Sequence, residues 1–516
     1  MSQSRTLVAP VLAAGLIAAA TATVASHVGT SNAYFDGAAG PYGVRVIVRT
    51  PGVIPGLAQA SVRILSGESV DRVSVRPLRS DLGLDGAPPP DIADPVPGET
   101  GLYSAELWLM TAGSYSIEVT VEGAGGEGTV FVPVLAVAER LLPMNPAIGF
   151  GLAAAGLFLF VGAVTIIGAA VRESVLEPGL VPDARRRWHG RIAMALFTLP
   201  LVGVLGGGWI WWDAIDAAYR NRIYRPWSTT TDVEATEGRL LLTLTIDDPA
   251  WSARESEPGA GLLPDHGKLM HMFVVRADDL SAFAHVHPVR VSSDTFRVAL
   301  PPLPDGEYRI YADIVHESGF APTLVDSVTL PPSPATPPGT TGGGAVPSDV
   351  PAPDPDDSWA KLLPHGESEA SRYALSSGRV VHWEREPTPS ADEETTLRFS
   401  VTETDGTPSP LEPYMGMLSH AAVVRDDGSL FVHLHPSGSI NLTAQQRFVE
   451  AENARGGEDL PTGRGHAGAM DRTSPTAGSV TFPFVFPEPG SYRIVVQVKI
   501  GAAVETAAFD LVVEES

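Results

Sequence analysis

Six histidines fall into two matching sets. Residues 271–288 read HMFVVRADDLSAFAHVHP and residues 420–436 read HAAVVRDDGSLFVHLHP. In each copy one histidine leads an apolar run, an acidic turn follows, and a second run ends in His-x-His-Pro. The sets are His271, His285 and His287, and His420, His433 and His435. Neutral imidazole is the commonest transition-metal ligand and suits copper, zinc and nickel. Three imidazoles on one face are therefore a candidate metal site.

A β-hairpin puts them there. In the second copy Asp427-Gly428 reads as a two-residue type I′ turn. Counting outward from it pairs His420 with His435, and period-2 alternation leaves His433 on the same face. The first copy has one more turn residue, so a loop of Asp278, Asp279 and Leu280 pairs His271 with His287 and keeps His285 beside them. Directly opposed Cβ atoms lie about 4.5–5.5 Å apart and diagonal ones about 7–8 Å, so each trio converges. The acidic pairs Asp278-Asp279 and Asp426-Asp427 read as turn chemistry.

Further ligands are weaker candidates. Met415 and Met417, in YMGMLS, are the thioethers best placed to soften a site toward Cu(I), whereas Met272 falls on the opposite strand face, in the core. His316, His266, and His466 with Met470 are auxiliary candidates; His365 and His382 read as surface residues. The alternative for the whole set is structural: ring nitrogens bonded to backbone carbonyls or to each other.

A chain of 516 residues exceeds a single core, and 52 Gly with 46 Pro favour short strands and turns over long helices. A formal charge of −25 argues against nucleic acid as a partner. The chain has no cysteine, which excludes disulfides, thiolate zinc sites, cysteine nucleophiles and blue-copper sites. No nucleophile elbow, phosphate loop or His-Glu-x-x-His helix is present, so the expectation is a non-enzyme.

Residues 1–26 resemble a secretory signal peptide or an uncleaved anchor. Residues 34–138 alternate apolar and polar in short runs divided by Gly/Pro turns, the pattern of a β-sandwich. Segments 147–171 and 192–212 are uncharged and each long enough to span a hydrocarbon core of about 30 Å. Trp209, Trp211 and Trp212 suit an interface, and arginines between the spans (172–191) read as a cytoplasmic loop. The expected location is a bacterial cytoplasmic membrane, with the soluble domains on the periplasmic or extracellular side.

Two His-motif β-sandwiches follow, at 228–331 and 375–514, joined by a Pro/Gly-rich linker (332–374) of which the Pro/Gly/Asp-rich stretch 331–357 is expected to be a mobile tether. Gly306–Ile310 and Gly490–Ile494 repeat a Gly-x-Tyr-Arg-Ile strand start and mark an internal duplication. A polar insertion at 449–478 is expected to be a flexible loop. The expected architecture is thus mainly β: three immunoglobulin-like antiparallel β-sandwiches plus a two-helix transmembrane hairpin.

The histidine-led strand, F-x-H-x-H-P and the later YRI strand resemble the YtkA-like and FixH-like bacterial exported immunoglobulin-like domains, over roughly 228–330 and 375–514. The resemblance implies copper handling through His271, His285, His287, His420, His433 and His435. Membrane, metal ion and other envelope proteins are the implied partners. An envelope scaffold with structural histidines is the rival reading.

Overall fold

The computed structural model describes residues 32–177, 179–236, 238–254, 261–333, 351–367, 371–385, 388–456, 478–501 and 503–516. The signal segment, His466 and Met470 lie outside the described residues.

The chain is mainly β, built as three immunoglobulin-like antiparallel sandwiches and one pair of apolar helices. The first sandwich packs a five-stranded sheet on a four-stranded one around Tyr42, Val46, Val62, Val119 and Val132. Short alternating strands explain it: along Gly56–Ser66 the inward residues Ala58, Ala60 and Val62 are buried while their neighbours face out.

Two helices follow, Pro146–Glu173 and Ala184–Arg220, both long and apolar enough to cross a membrane. Asn145 and Asp183 cap their N-termini by accepting from the Ala147 and Arg186 N–H groups. The second helix has 37 residues, about 55 Å at 1.5 Å per residue, so its ends extend well beyond the expected 192–212 span. Much of the expected 172–191 loop is consequently helix, from Ala184 onward. The helices touch where glycine lets them: a Cβ at Gly190 would sit 3.1 Å from the Gly168 carbonyl oxygen.

The second sandwich runs from Thr229 to Leu330 and the third from Arg372 to Val513. In each, the His hairpin pairs with the Gly-x-Tyr-Arg-Ile strand. Strand His271–Arg276 lies between Ala282–Val286 and Gly306–Asp313; strand Ser419–Arg425 lies between Phe431–Leu434 and Gly490–Ile500. Tyr308 and Tyr492 repeat one device, each donating its hydroxyl proton to the carbonyl four residues back, of Pro304 and Glu488.

The two His-bearing sheets pack face to face. Phe273, Val275, Phe283, Tyr311, Ala422, Val424, Phe431 and Val495 form a core between the sandwiches, with Tyr311 stacked on Phe431 at 4.3 Å. Each fully buried aromatic or branched side chain there contributes roughly 1.5–3 kcal/mol. The contacts are reciprocal, as about a local twofold axis. Arg493 donates to the Leu280 carbonyl in the first hairpin's turn, and Arg309, at the equivalent position, donates to the Asp426 carbonyl in the second's.

Three expectations are corrected. The tether is ordered over 351–367, and Ser358–Lys361 adds a strand to the edge of the first hairpin at Ala282–His285. Trp359 supplies β-propensity that the Pro/Asp-rich composition obscures; residues 334–350 are outside the described ones. The insertion at 449–478 begins inside a helix, Leu442–Ala454, capped by Asn441 and docked on the first sandwich through Phe448 against Phe131. The turn at Asp427-Gly428 is not type I′. Only Gly428 has positive φ (74°), and its N–H donates to the Arg425 carbonyl, so Asp426 and Asp427 are the central residues of the turn.

The first sandwich also touches the third. Asp36 N–H donates to the Ser437 carbonyl, and Gly438 (φ 111°) is required because a Cβ would strike the Tyr34 carbonyl at 2.0 Å. The domains before and after the helical pair therefore lie on one side of it.

Arg493 is the buried strut of the interface, 1 % exposed and held by Asp510 at 2.7 Å and by the Leu280 and Leu363 carbonyls. Replacing it by Met strands the Asp510 carboxylate, so denaturant unfolding should show a loss of roughly 3–5 kcal/mol. Arg309→Met, at the more open equivalent, should cost under about 1 kcal/mol.

Candidate metal centre

The register places the histidines as counted. Met272 pairs with Val286 and Phe273 with His285, so His271 stands opposite His287; Ala421 pairs with Leu434, so His420 stands opposite His435. What the hairpins alone do not indicate is that both trios face the same interface. They form one cluster, joined by His266.

His271 Nδ1 is 3.2 Å from His285 Nε2. That is close to the edge of a tetrahedron with metal–nitrogen bonds of about 2.0–2.1 Å, roughly 3.3 Å. One nitrogen from each of His271, His285 and His287 lies within 4.8 Å of the others, and the same holds for His266, His420 and His435. His433 stands between the sets, its ring centre 4.5 Å from His435, 5.6 Å from His271 and 5.7 Å from His285. Phe273 stacks on His285 at 4.2 Å and floors the cluster.

The outer nitrogens are anchored. The Asp265 carbonyl is 3.1 Å from His271 Nε2 and can only accept, which fixes the proton there and leaves Nδ1 as a lone pair. Gln497 Oε1 is 3.0 Å from His285 Nδ1, with the Tyr414 hydroxyl 3.1 Å from the same atom. Asp357, in the ordered part of the tether, accepts from His287 Nδ1 at 3.0 Å, and Asp313 lies 3.3 Å from His433 Nδ1. Asp313 pairs with His271 and Gln497 with His420 on equivalent strands, and each reaches into the other sandwich's hairpin. The exchange is a second sign of the local twofold.

Apart from the His271–His285 contact, the inner nitrogens are not anchored. His287 Nε2, His433 Nε2, His266 Nε2 and both ring nitrogens of His420 and His435 are buried without a hydrogen bond of normal geometry. Burial drives the imidazoles toward the neutral form. Desolvation is the largest cause for His266, His271, His285, His420 and His435; neighbouring imidazoles reinforce it, and all but His266 fall well below the usual histidine range. Burial likewise raises the Tyr414 phenol.

The remaining candidates separate cleanly. His316 is buried on the short strand Val315–His316, its Nδ1 bonded to Ser318, away from the clustered rings. Met270 and Met272 belong to the core of the second sandwich. Met415 and Met417 are buried in a tight turn, Tyr414–Met417, beside the cluster: a Cβ at Gly416 would lie 3.8 Å from His266 Nδ1. His365 and His382 are half-buried rather than surface residues, bonded to the Tyr492 carbonyl and to Thr402. The acidic pairs are turn residues, with Asp278 and Asp426 each accepting from the next N–H. The anchors Asp265, Asp313, Asp357 and Gln497 escaped sequence reading, because a carboxylate or amide near a histidine in space has no local signature.

A pocket of about 160 Å³ opens onto His433 and His435, lined also by Asp265, Asp313, Asn441 and, from the first sandwich, Val134. It gives the buried rings a route to solvent.

Fold and site together define a chain of paired β-sandwiches with a histidine cluster at their interface. A family model described as a domain of unknown function, DUF8832, matches residues 235–325 and 375–515, taking in both halves of the duplication. No curated protein matches. Among solved structures, a tetra-tandem repeat from the extending region of a large adhesion protein aligns at 9 % identity and TM-score 0.15, over 89 % of this chain and 71 % of its own. A putative membrane-anchored protein from Corynebacterium diphtheriae aligns at 10 % identity and TM-score 0.15, over 94 % and 96 %. The FN1–FN3 domains of chicken CNTN1 align at 8 % and 0.14, over 91 % and 97 %. Likeness at this level says nothing of function.

Because the folded-state histidines bind protons less readily than unfolded ones, stability of the metal-free protein is complete above the unfolded pKa, about 6.5, and falls as pH drops below it. Four strongly depressed rings act together, which steepens the fall. Urea unfolding of the metal-free chain at pH 7.5 and 5.5 should show this collapse; equal midpoints would contradict the burial of neutral rings.

Proposed function

We propose that the chain is a membrane-anchored extracytoplasmic protein that binds metal, with copper as the ion, for buffering, delivery or sensing. One observation carries the reading: inner nitrogens of His266, His287, His420, His433 and His435 are buried and unbonded and those of His271 and His285 meet only each other, while the outer nitrogens of His271, His285, His287 and His433 are held by Asp265, Gln497, Asp357 and Asp313. Metal-binding histidines are oriented in this way, with the second ring nitrogen given to a carbonyl or carboxylate. Without an ion, each such buried polar atom costs about 1–3 kcal/mol. The donor set fits the group.

His271 Nδ1, His285 Nε2 and His287 Nε2 would hold an ion, and the chemistry it would supply is positive charge and, for copper, a one-electron couple. The chain itself fixes tautomers, and burial favours the neutral form of His271 and His285. Imidazole without thiolate suits copper better than a structural zinc site, and the resemblance to exported copper-handling domains points the same way. The carboxylates beside the cluster are already engaged, Asp313 and Asp357 with ring nitrogens and Asp265 with Asn441 and Thr443, which favours binding over catalysis.

Full-length protein in detergent, titrated with Cu(I), Cu(II), Zn(II) and Ni(II), tests the reading. Copper should bind most tightly, and replacing His285, His287, His433 and His435 together by Ala should abolish the tight phase. Unchanged affinity in that variant, or no binding by the wild type, returns the histidines to a structural role in an envelope scaffold. Asp357→Asn keeps the ligands but weakens the anchor of His287, and copper affinity should fall ten- to a hundredfold, roughly the range for such outer partners.

A further inference from the structure

The turns that precede the two hairpins are copies of each other. Residues 264–271 read PDHGKLMH and 413–420 read PYMGMLSH, so His266 and Met415 occupy the same position, five residues before the leading histidine. The backbone repeats as well as the string. Asp265 and Lys268 exchange both hydrogen bonds, at 2.8 and 2.9 Å, as do Tyr414 and Met417, at 2.7 and 3.2 Å. His266 has φ 49° and Gly267 83°; Met415 has φ 50° and Gly416 81°. Both turns are type I′, whose first central position normally takes Asn, Asp or Gly.

A histidine and a methionine stand there instead. The left-handed region is sterically costly for an ordinary L-residue. Strain retained at both copies points to what the side chains do rather than to the turn. For His266 the structure gives the answer: its ring packs 5.1 Å from His435 and 6.0 Å from His420, the trio of the other sandwich. Its turn crosses the interface.

The local twofold relates the rest of the centre in the same way. His285 faces Gln497 while His433 faces Asp313, and Arg493 and Arg309 each reach the opposite hairpin's turn. The operation that takes His420 and His435 to His271 and His287 takes His266 to Met415. Met415 is 8 % exposed, so its side chain is already in the interior.

We infer that the cluster binds two metal ions at unlike positions. One is held by His271, His285 and His287 with the Met415 thioether as a fourth ligand. The other is held by His420 and His435 with His266 in the place of Met415, and His433 lies between the two. A thioether favours Cu(I), whereas an all-imidazole set also accommodates Cu(II), so the positions differ in the oxidation state they prefer. This inference rests on the metal-binding reading above.

The experiment is anaerobic Cu(I) loading of the full-length protein in detergent, with copper counted per chain and sulfur ligation read by X-ray absorption at the copper edge. Two ions per chain and a copper–sulfur shell are expected. Met415→Leu should remove that shell and leave the fold intact, as volume-conserving swaps do, while Met417→Leu should leave the shell unchanged. Met415→His should restore two tightly bound ions with nitrogen ligation alone. His266→Leu should lower the count to one and spare the sulfur shell. No copper bound overturns the metal reading itself; one ion per wild-type chain overturns only the two-ion inference. A sulfur shell that survives Met415→Leu, or is absent from the wild type, overturns the assignment of Met415.

Discussion

Buried imidazoles packed against one another set the terms for this molecule. Seven ring nitrogens of the cluster are buried without a normal hydrogen bond. At about 1–3 kcal/mol each, the cost is on the order of 10 kcal/mol, comparable to the whole net stability of an ordinary domain. Such a debt cannot stand alone. The aromatic interface of Phe273, Tyr311 and Phe431 offsets part of it, and every anchored outer nitrogen lowers it further. The same desolvation that makes the apo cluster costly keeps its lone pairs free of protons, which is what a ligand set requires.

Duplication makes the arrangement possible. Each sandwich contributes three histidines on one sheet face, but neither completes its own surroundings: His285 needs Gln497 from the third sandwich and His433 needs Asp313 from the second. Asp265 ties a further element in. Its carbonyl holds His271, and its carboxylate accepts from Asn441 and Thr443 at the start of the helix that docks on the first sandwich. All three domains therefore bear on one centre, although only two supply its rings.

The hairpins were legible because a two-residue period and a compact acidic turn leave few registers open, and the count from Asp427-Gly428 survives even though the turn type differs. Their meeting was not. The available signal was the strand HMFVVR, buried along nearly its whole length; a run apolar on both faces implies a sheet covered on both faces. His266 carries no spacing signal within its own hairpin, because its importance comes from packing across the interface. Composition misled for the tether, where Trp359 and Ala360 pair with Ala284 and Phe283 despite the surrounding Pro and Asp. It misled again for the helix Leu442–Ala454, which lacks a strong apolar stripe and is held by its cap and by contacts with Phe131 and Leu84.

The strand Ser358–Lys361 belongs to the connection between the halves and is also part of the wall of the first hairpin. Covalent linkage over so short a reach turns the meeting of the halves into an intramolecular event, at an effective concentration on the order of millimolar. An interface worth about 4 kcal/mol is then already half closed, and each further 1.4 kcal/mol or so favours closure tenfold. Affinity that two free proteins would need for lasting contact is left available for burying polar rings. Cut at this strand, each half would carry an exposed three-histidine face and a complementary surface for any other copy it met.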